Sequence, residues 1–130
     1  MSNINDKEYS CSLDFTIDII RGKWSMWVLY VLRNKGTIRF GELRDKVVGI
    51  TEKMLIQQLK KFESYDIVRR KVYNQVPPKV EYSLTEHGKS LMPIIDLLFQ
   101  WGDQFIESHD NLVVVRDPIT FKDMNENNTI

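Results

Sequence analysis

A chain of 130 residues with 42% hydrophobic and 28% charged side chains has the size and apolar content of one globular domain and leaves no room for a second, catalytic one. Eighteen Lys and Arg against eighteen Asp and Glu give a formal net charge of zero, which by itself points to no polyanionic partner. The one cysteine, Cys11, excludes an internal disulfide and a multi-thiolate zinc cage, and apolar runs such as Leu112 to Val115 fall far short of the ~20 residues that span a bilayer.

Residues 1–10 read as an N-terminal arm. The first twenty residues include Asp6, Glu8, Asp14 and Asp18 and have no basic start followed by an apolar block, so no secretory signal is expected and the expected compartment is the cytoplasm. Leu13, Ile17 and Ile20 fall at helical spacing behind Ser12 or Asp14 as candidate caps, which predicts a short first helix ended by Gly22. Trp24, Trp27, Val28, Val31 and Leu32 predict a core-facing second helix over about 23–35, closed by Gly36. Phe40, Leu43 and Val47 predict a third over about 39–48, and Gly49 ends it.

Thr51 then caps a fourth helix, whose buried stripe is Leu55, Leu59 and Phe62 and which runs to about Tyr65. From Ile67 the residues turn β-branched and aromatic. Val68, Val72 and Tyr73, then Val80, Tyr82 and Leu84 after Pro77-Pro78, predict a hairpin over about 67–84. Thr85 caps a long last helix over about 85–108 with a stripe of Leu91, Ile94, Ile95, Leu98, Trp101 and Phe105. Pro93 should bend this helix without stopping it. Residues 109–130 are expected to form an extended tail.

The fold class is therefore α+β, mostly helical: a helix-turn-helix over about 39–65, a wing over about 67–84, and flanking N- and C-terminal helices. Divided by segment, the neutral total separates. Residues 1–32 carry −1, residues 33–80 carry +7 from twelve basic and five acidic side chains, and residues 81–130 carry −6. Positive charge thus collects on the helix-turn-helix and the wing, as expected of a module that meets a polyanion, although a solvated basic face has the same signature.

In a winged helix-turn-helix the second helix of the pair enters the major groove. On the helix after Thr51, turning 100° per residue from Leu55 places Lys53, Gln57, Lys60 and Ser64 within about 40° of the outward direction. Thr51, Lys53 and Gln57 can donate to phosphates or base edges, and Gln pairs well with adenine. Arg69, Arg70 and Lys71 on the first strand and Lys79 beyond the Pro77-Pro78 tip put cations where a wing meets the sugar-phosphate backbone. Arg39 and Arg44 could add backbone contacts, with an internal salt bridge as the alternative for either.

These residues also carry a family resemblance. Cys11, Gly22-Lys23-Trp24, Arg39-Phe40 with Leu43, Gly49-Ile50-Thr51, Val76-Pro77-Pro78-Lys79-Val80-Glu81-Tyr82, Leu84-Thr85 with Gly88, and Trp101-Gly102 run in unbroken order over about 11–102. In this the chain resembles the HxlR-type winged helix-turn-helix transcriptional regulators. The resemblance implies a homodimer on a palindromic double-stranded DNA operator, with the first and last helices forming the dimer interface through Leu13, Ile17, Leu91, Ile95, Leu98, Trp101 and Phe105. The apolar stripe on the last helix is its physical counterpart, since a monomer this small does not readily cover so much apolar surface; packing within one chain is the alternative.

Some regulators resembling this one use a cysteine at the position of Cys11 to sense electrophiles or oxidants. A thiol just before a helix N-terminus can have a lowered pKa, which Asp14 would oppose, and an inert packing cysteine is the other reading. No catalytic residue, cofactor or metal site is expected. His87 and His109 stand apart, no carboxylate pair accompanies them, and no glycine-rich phosphate loop occurs. The function expected is sequence-specific DNA binding in transcriptional regulation; the alternative is a winged-helix protein-interaction module without DNA binding.

Overall fold

A computed structural model describes residues 7–112 as five helices and a three-stranded antiparallel sheet. Residues 1–6 of the N-terminal arm and 113–130 of the tail, with most of the Leu112 to Val115 patch, lie outside the described residues. Helix α1 spans Ser12–Ile20, α2 Lys23–Lys35, α3 Phe40–Lys46, α4 Glu52–Ser64 and α5 Glu86–Glu107. Strands β1 (Ile38–Arg39), β2 (Val68–Tyr73) and β3 (Lys79–Leu84) form one sheet in the order β1-β3-β2.

Helix α2 lies at the centre because its apolar residues occupy more than one face. Val28, Leu29, Tyr30, Val31 and Leu32 are all buried, whereas Trp24 and Trp27 are only half-buried. The helix ends at Gly36, whose φ of 74° suits a residue without a Cβ and whose N–H donates to the Leu32 carbonyl at 2.9 Å. Leu43 of α3 and Leu55, Leu59 and Phe62 of α4 close over α2 with at most 1% exposure. Full burial of each such side chain stabilises the fold by about 1.5–3 kcal/mol before entropy is counted.

The third helix is shorter than its periodicity predicts. Arg39 belongs to β1, paired with Glu81, and the helix begins only at Phe40. Tertiary pairing explains the difference, since β3 offers a free edge to the Ile38-Arg39 segment and Ile38 is buried opposite Tyr82. Along β2 and β3 the register sets Val68 against Leu84, Arg70 against Tyr82 and Lys71 against Glu81.

Helix α5 docks closely on the turn between α4 and β2. The Thr85 hydroxyl donates to the Asp66 carbonyl at 2.6 Å and accepts from the Gly88 N–H at 3.1 Å. A Cβ at Gly88 would come within 2.3 Å of the Ile67 carbonyl oxygen, so only glycine permits this approach. The helix does not stop at Pro93. Further along, Asp96 accepts from the Tyr30 hydroxyl at 3.0 Å and from Arg33, which ties α5 to α2 and holds the Asp96 carboxyl below its ordinary range, chiefly through Arg33.

Candidate nucleic-acid interface

The turn between α3 and α4 is short, and two features fix it. The Thr51 hydroxyl accepts the Met54 N–H at 3.1 Å, and Arg44 of α3 pairs with Glu52 of α4 at 3.8 Å. Arg44 also lies 3.8 Å from Asp45, so it serves as a tie between the two helices. With α4 held from below by Leu55, Leu59 and Phe62, its outward face consists of Lys53, Gln57 and Lys60, all exposed and free of hydrogen bonds or ion pairs to other described residues. Ser64 lies at the end of this line but is half-buried and donates to the Lys61 carbonyl at 2.7 Å.

The wing cations separate between the two faces of the sheet, as strand alternation requires. Arg70 shares a face with Val68 and Tyr82, turned toward α4, and lines a cleft of about 590 Å³ with Phe40, Ile56, Lys60 and Val80. Arg69 lies on the other face opposite Ser83, in a separate cleft with Arg33 and Lys89. The structure therefore brings Arg70, and not Arg69, to the α4 side.

Arg39, Lys71 and Lys79 surround Glu81 on the face away from α4. The Lys79 ammonium is 3.5 Å from the Glu81 carboxylate and 4.5 Å from the centre of the Tyr73 ring. The Tyr73 hydroxyl, then Lys79 and Arg39, holds the Glu81 carboxyl below its usual range. Lys79 is thus engaged within the wing, a role its exposed position in the sequence did not suggest.

Ile56 was not anticipated as a surface residue. Its side chain is 38% exposed between α4 and the wing; in the sequence its position between Leu55 and Leu59 resembles a core residue.

A second surface lies along α1 and α5. Leu91 and Ile95, expected at a dimer interface, are instead 8% and 0% exposed in the core of the single chain, because the side of α5 that carries them packs inward. The open side consists of Ile94, Leu97, Leu98, Trp101 and Phe105, and on α1 Leu13 and Ile17 are exposed as well. Trp101 is 67% exposed and stacks on Phe105 at 5.2 Å between ring centres, and Phe105 stacks in turn on His109 at 4.1 Å.

Cys11 is exposed and is itself the N-cap residue of α1, in place of the expected Ser12 or Asp14. The backbone N–H groups of Asp14 and then Leu13 lower its thiol pKa. The Asp14 carboxylate, expected to oppose this, accepts a hydrogen bond from the Ser10 hydroxyl. Among the described residues, no three His, Cys, Asp or Glu side chains cluster to hold a metal ion, and no helix is long and apolar enough to cross a membrane.

Comparison with known proteins agrees with this geometry. Residues 19–110 match the family model described as HxlR-like helix-turn-helix. The chain is 52% identical over 101 residues to the HTH-type transcriptional regulator YkvN of Bacillus subtilis (strain 168), covering 78% of this chain and 85% of that one. The redox regulator HypR in its reduced form superposes with a TM-score of 0.69 at 44% identity, covering 76% of this chain and all of HypR. The reduced form of the transcriptional regulator YodB from B. subtilis superposes with a TM-score of 0.70 at 32% identity, covering 79% and 100% of the two chains.

Proposed function

Because the chain belongs to the HxlR-like helix-turn-helix family and is a transcriptional regulator rather than an enzyme, we propose that it acts in the cytoplasm as a homodimer on a palindromic operator, with α4 in the major groove. The observation that carries this reading is the row of Lys53, Gln57 and Lys60, polar side chains that have no partner among the described residues and face one direction. Three such groups spread over eight residues of helix span about 10 Å, enough to reach successive base edges and the flanking phosphates.

Thr51 and Lys53 meet phosphate at the start of α4, Gln57 offers both an acceptor and a donor to a base edge, and Lys60 with Arg70 follows the backbone on the wing side. Arg39, Arg69 and Lys79 act at longer range, as positive field around the wing. The dimer forms through the open apolar side of α5 together with Leu13 and Ile17. Two-fold symmetry then sets the two α4 helices about 34–36 Å apart, one turn of DNA.

Cys11 is the effector site in this reading. Its N-cap position favours the thiolate, which adds to a soft electrophile by forming an S–C bond, or is oxidised by a peroxide to the sulfenic acid with release of water or alcohol. A disulfide at Cys11 joins either two chains or the chain and a small thiol, since the sequence has one cysteine. The redox regulators HypR and YodB among the structural neighbours support this assignment.

A gel-shift assay with the DNA upstream of the coding sequence tests the main reading. Wild type shifts that DNA, and a Lys53→Ala, Gln57→Ala double variant loses at least about tenfold in affinity; unchanged binding by the double variant overturns the assignment of α4. A Cys11→Ser variant should keep DNA binding and lose its response to a thiol-reactive quinone. A response equal to wild type removes the thiol from the account.

A further inference from the structure

One polar cluster lies at the edge of the core and apart from the DNA-facing surface, and only Tyr65 in it is buried. Tyr9 lies on the N-terminal arm, Asp18 on α1, and Tyr65 at the C-cap of α4. Both phenol groups donate to the same carboxylate oxygen, Asp18 Oδ2, from 2.8 Å for Tyr9 and 2.6 Å for Tyr65. Lys7 Nζ donates to the Tyr65 oxygen at 3.1 Å, and Lys7 and Arg21 place their charges 3.6 and 3.9 Å from Asp18. Phe15 of α1 meets both rings edge-on, 5.1 Å from Tyr9 and 5.7 Å from Tyr65.

The placement of this cluster matters more than its size. Thr51 and the Arg44–Glu52 pair fix the beginning of α4 against α3. Tyr65 fixes its other end against α1, the helix that exposes Leu13 and Ile17. A helix of 13 residues is about 20 Å long, so a tilt of about 10° at one end moves the other by about 3–4 Å. That displacement matches one base-pair step, about 3.4 Å along the DNA.

We infer that Tyr9, Asp18 and Tyr65 are positioning residues: they lock the angle of α4 to α1 and thereby set the half-site spacing that the dimer accepts. This rests on the proposed reading of α4 and of the dimer, and it adds a quantity that reading leaves open. A tie with a merely structural role would lower stability and weaken binding to every operator alike. A positioning tie changes the preference among spacings.

The test uses the full chain. Selection from randomised duplexes yields the preferred two-half-site operator, and affinity is then measured for that operator and for versions with one or two base pairs added or removed between the half-sites. Wild type should lose at least about tenfold per base pair, and Tyr65→Phe and Asp18→Asn should reduce that discrimination at least threefold while still binding the preferred spacing. Tyr30→Phe, which removes the hydrogen bond to Asp96 between α2 and α5 and leaves α4 and the cluster untouched, should keep the wild-type preference.

If either core-facing variant fails to fold, Tyr9→Phe on the arm carries the test. Folded variants that discriminate spacing as sharply as wild type overturn the inference and leave the DNA reading intact. A wild-type chain that binds no DNA overturns the DNA reading, and this inference with it.

Discussion

Helices α4 and α5 begin alike and differ in what they turn outward. Each is capped by a threonine whose hydroxyl accepts an N–H three residues on, at 3.1 Å in both cases. Each buries one stripe: Leu55, Leu59 and Phe62 in α4, and Leu91, Met92 and Ile95 in α5. Outward, α4 shows Lys53, Gln57 and Lys60, whereas α5 shows Leu97, Leu98, Trp101 and Phe105. Cap and stripe make both of them helices of one fold. In the proposed function the outer face decides the partner: a polyanion whose counterions are released, or a second apolar face that leaves water.

The contrast can be attacked at its strongest point first. Gly88→Ala would improve helix propensity in isolation, yet the new Cβ would meet the Ile67 carbonyl at 2.3 Å. Chemical denaturation should show a loss of about 3 kcal/mol or more, within the range for steric strain in a packed interior; a stabilised variant would mean that α5 does not dock in this way.

Next in size is the outer face of α5. Each large apolar side chain buried at an interface contributes about 1.5–3 kcal/mol, so Leu98→Asp with Trp101→Asp should weaken dimerisation by a factor on the order of one hundred to ten thousand. Sedimentation should show monomers with the helical circular dichroism of wild type, whereas an unchanged oligomer would move the interface elsewhere.

The smallest effect belongs to Asp18. Hydrogen bonds from Tyr65 and then Tyr9 lower its pKa from 3.8 to about 2. A carboxylate with a depressed folded-state pKa contributes stability above its unfolded pKa and loses it as the pH falls through the folded value. The melting temperature of wild type should therefore drop between about pH 4 and pH 2 more than that of Asp18→Asn, and parallel curves would show the cluster to be unformed in solution.

How much of this the sequence discloses depends on the range of each interaction. Thr51 and Thr85 as caps, and the stripe through Leu55, Leu59 and Phe62, are local signals and stand in the structure as periodicity indicates. Strand β1 is not local: two residues become a strand only because β3 has an edge to offer. The broad apolar stripe of α5 is visible in sequence, but not its division. Leu91 and Ile95 face inward, and Leu97 and Trp101 lie about 100° or more around the helix; which side docks is set by α2.

The separation of Arg69 from Arg70 was available from strand alternation alone, since adjacent residues point to opposite faces. The engagement of Lys79 with Glu81 and Tyr73 depends on hairpin register. Tyr9, Asp18 and Tyr65 meet across as many as 56 positions, and no local pattern marks them.

The measurement that bears most directly on the outward face of α4 is the salt dependence of DNA affinity for wild type and for a Lys53→Ala, Lys60→Ala variant. It is read as anisotropy of a labelled duplex carrying the upstream DNA, between about 50 and 200 mM salt. Wild type should show a steep slope of log affinity against log salt, made shallower by about 0.9 for each lysine removed. A wild-type affinity that stays flat with salt, or a variant slope equal to that of wild type, would contradict the assignment of α4.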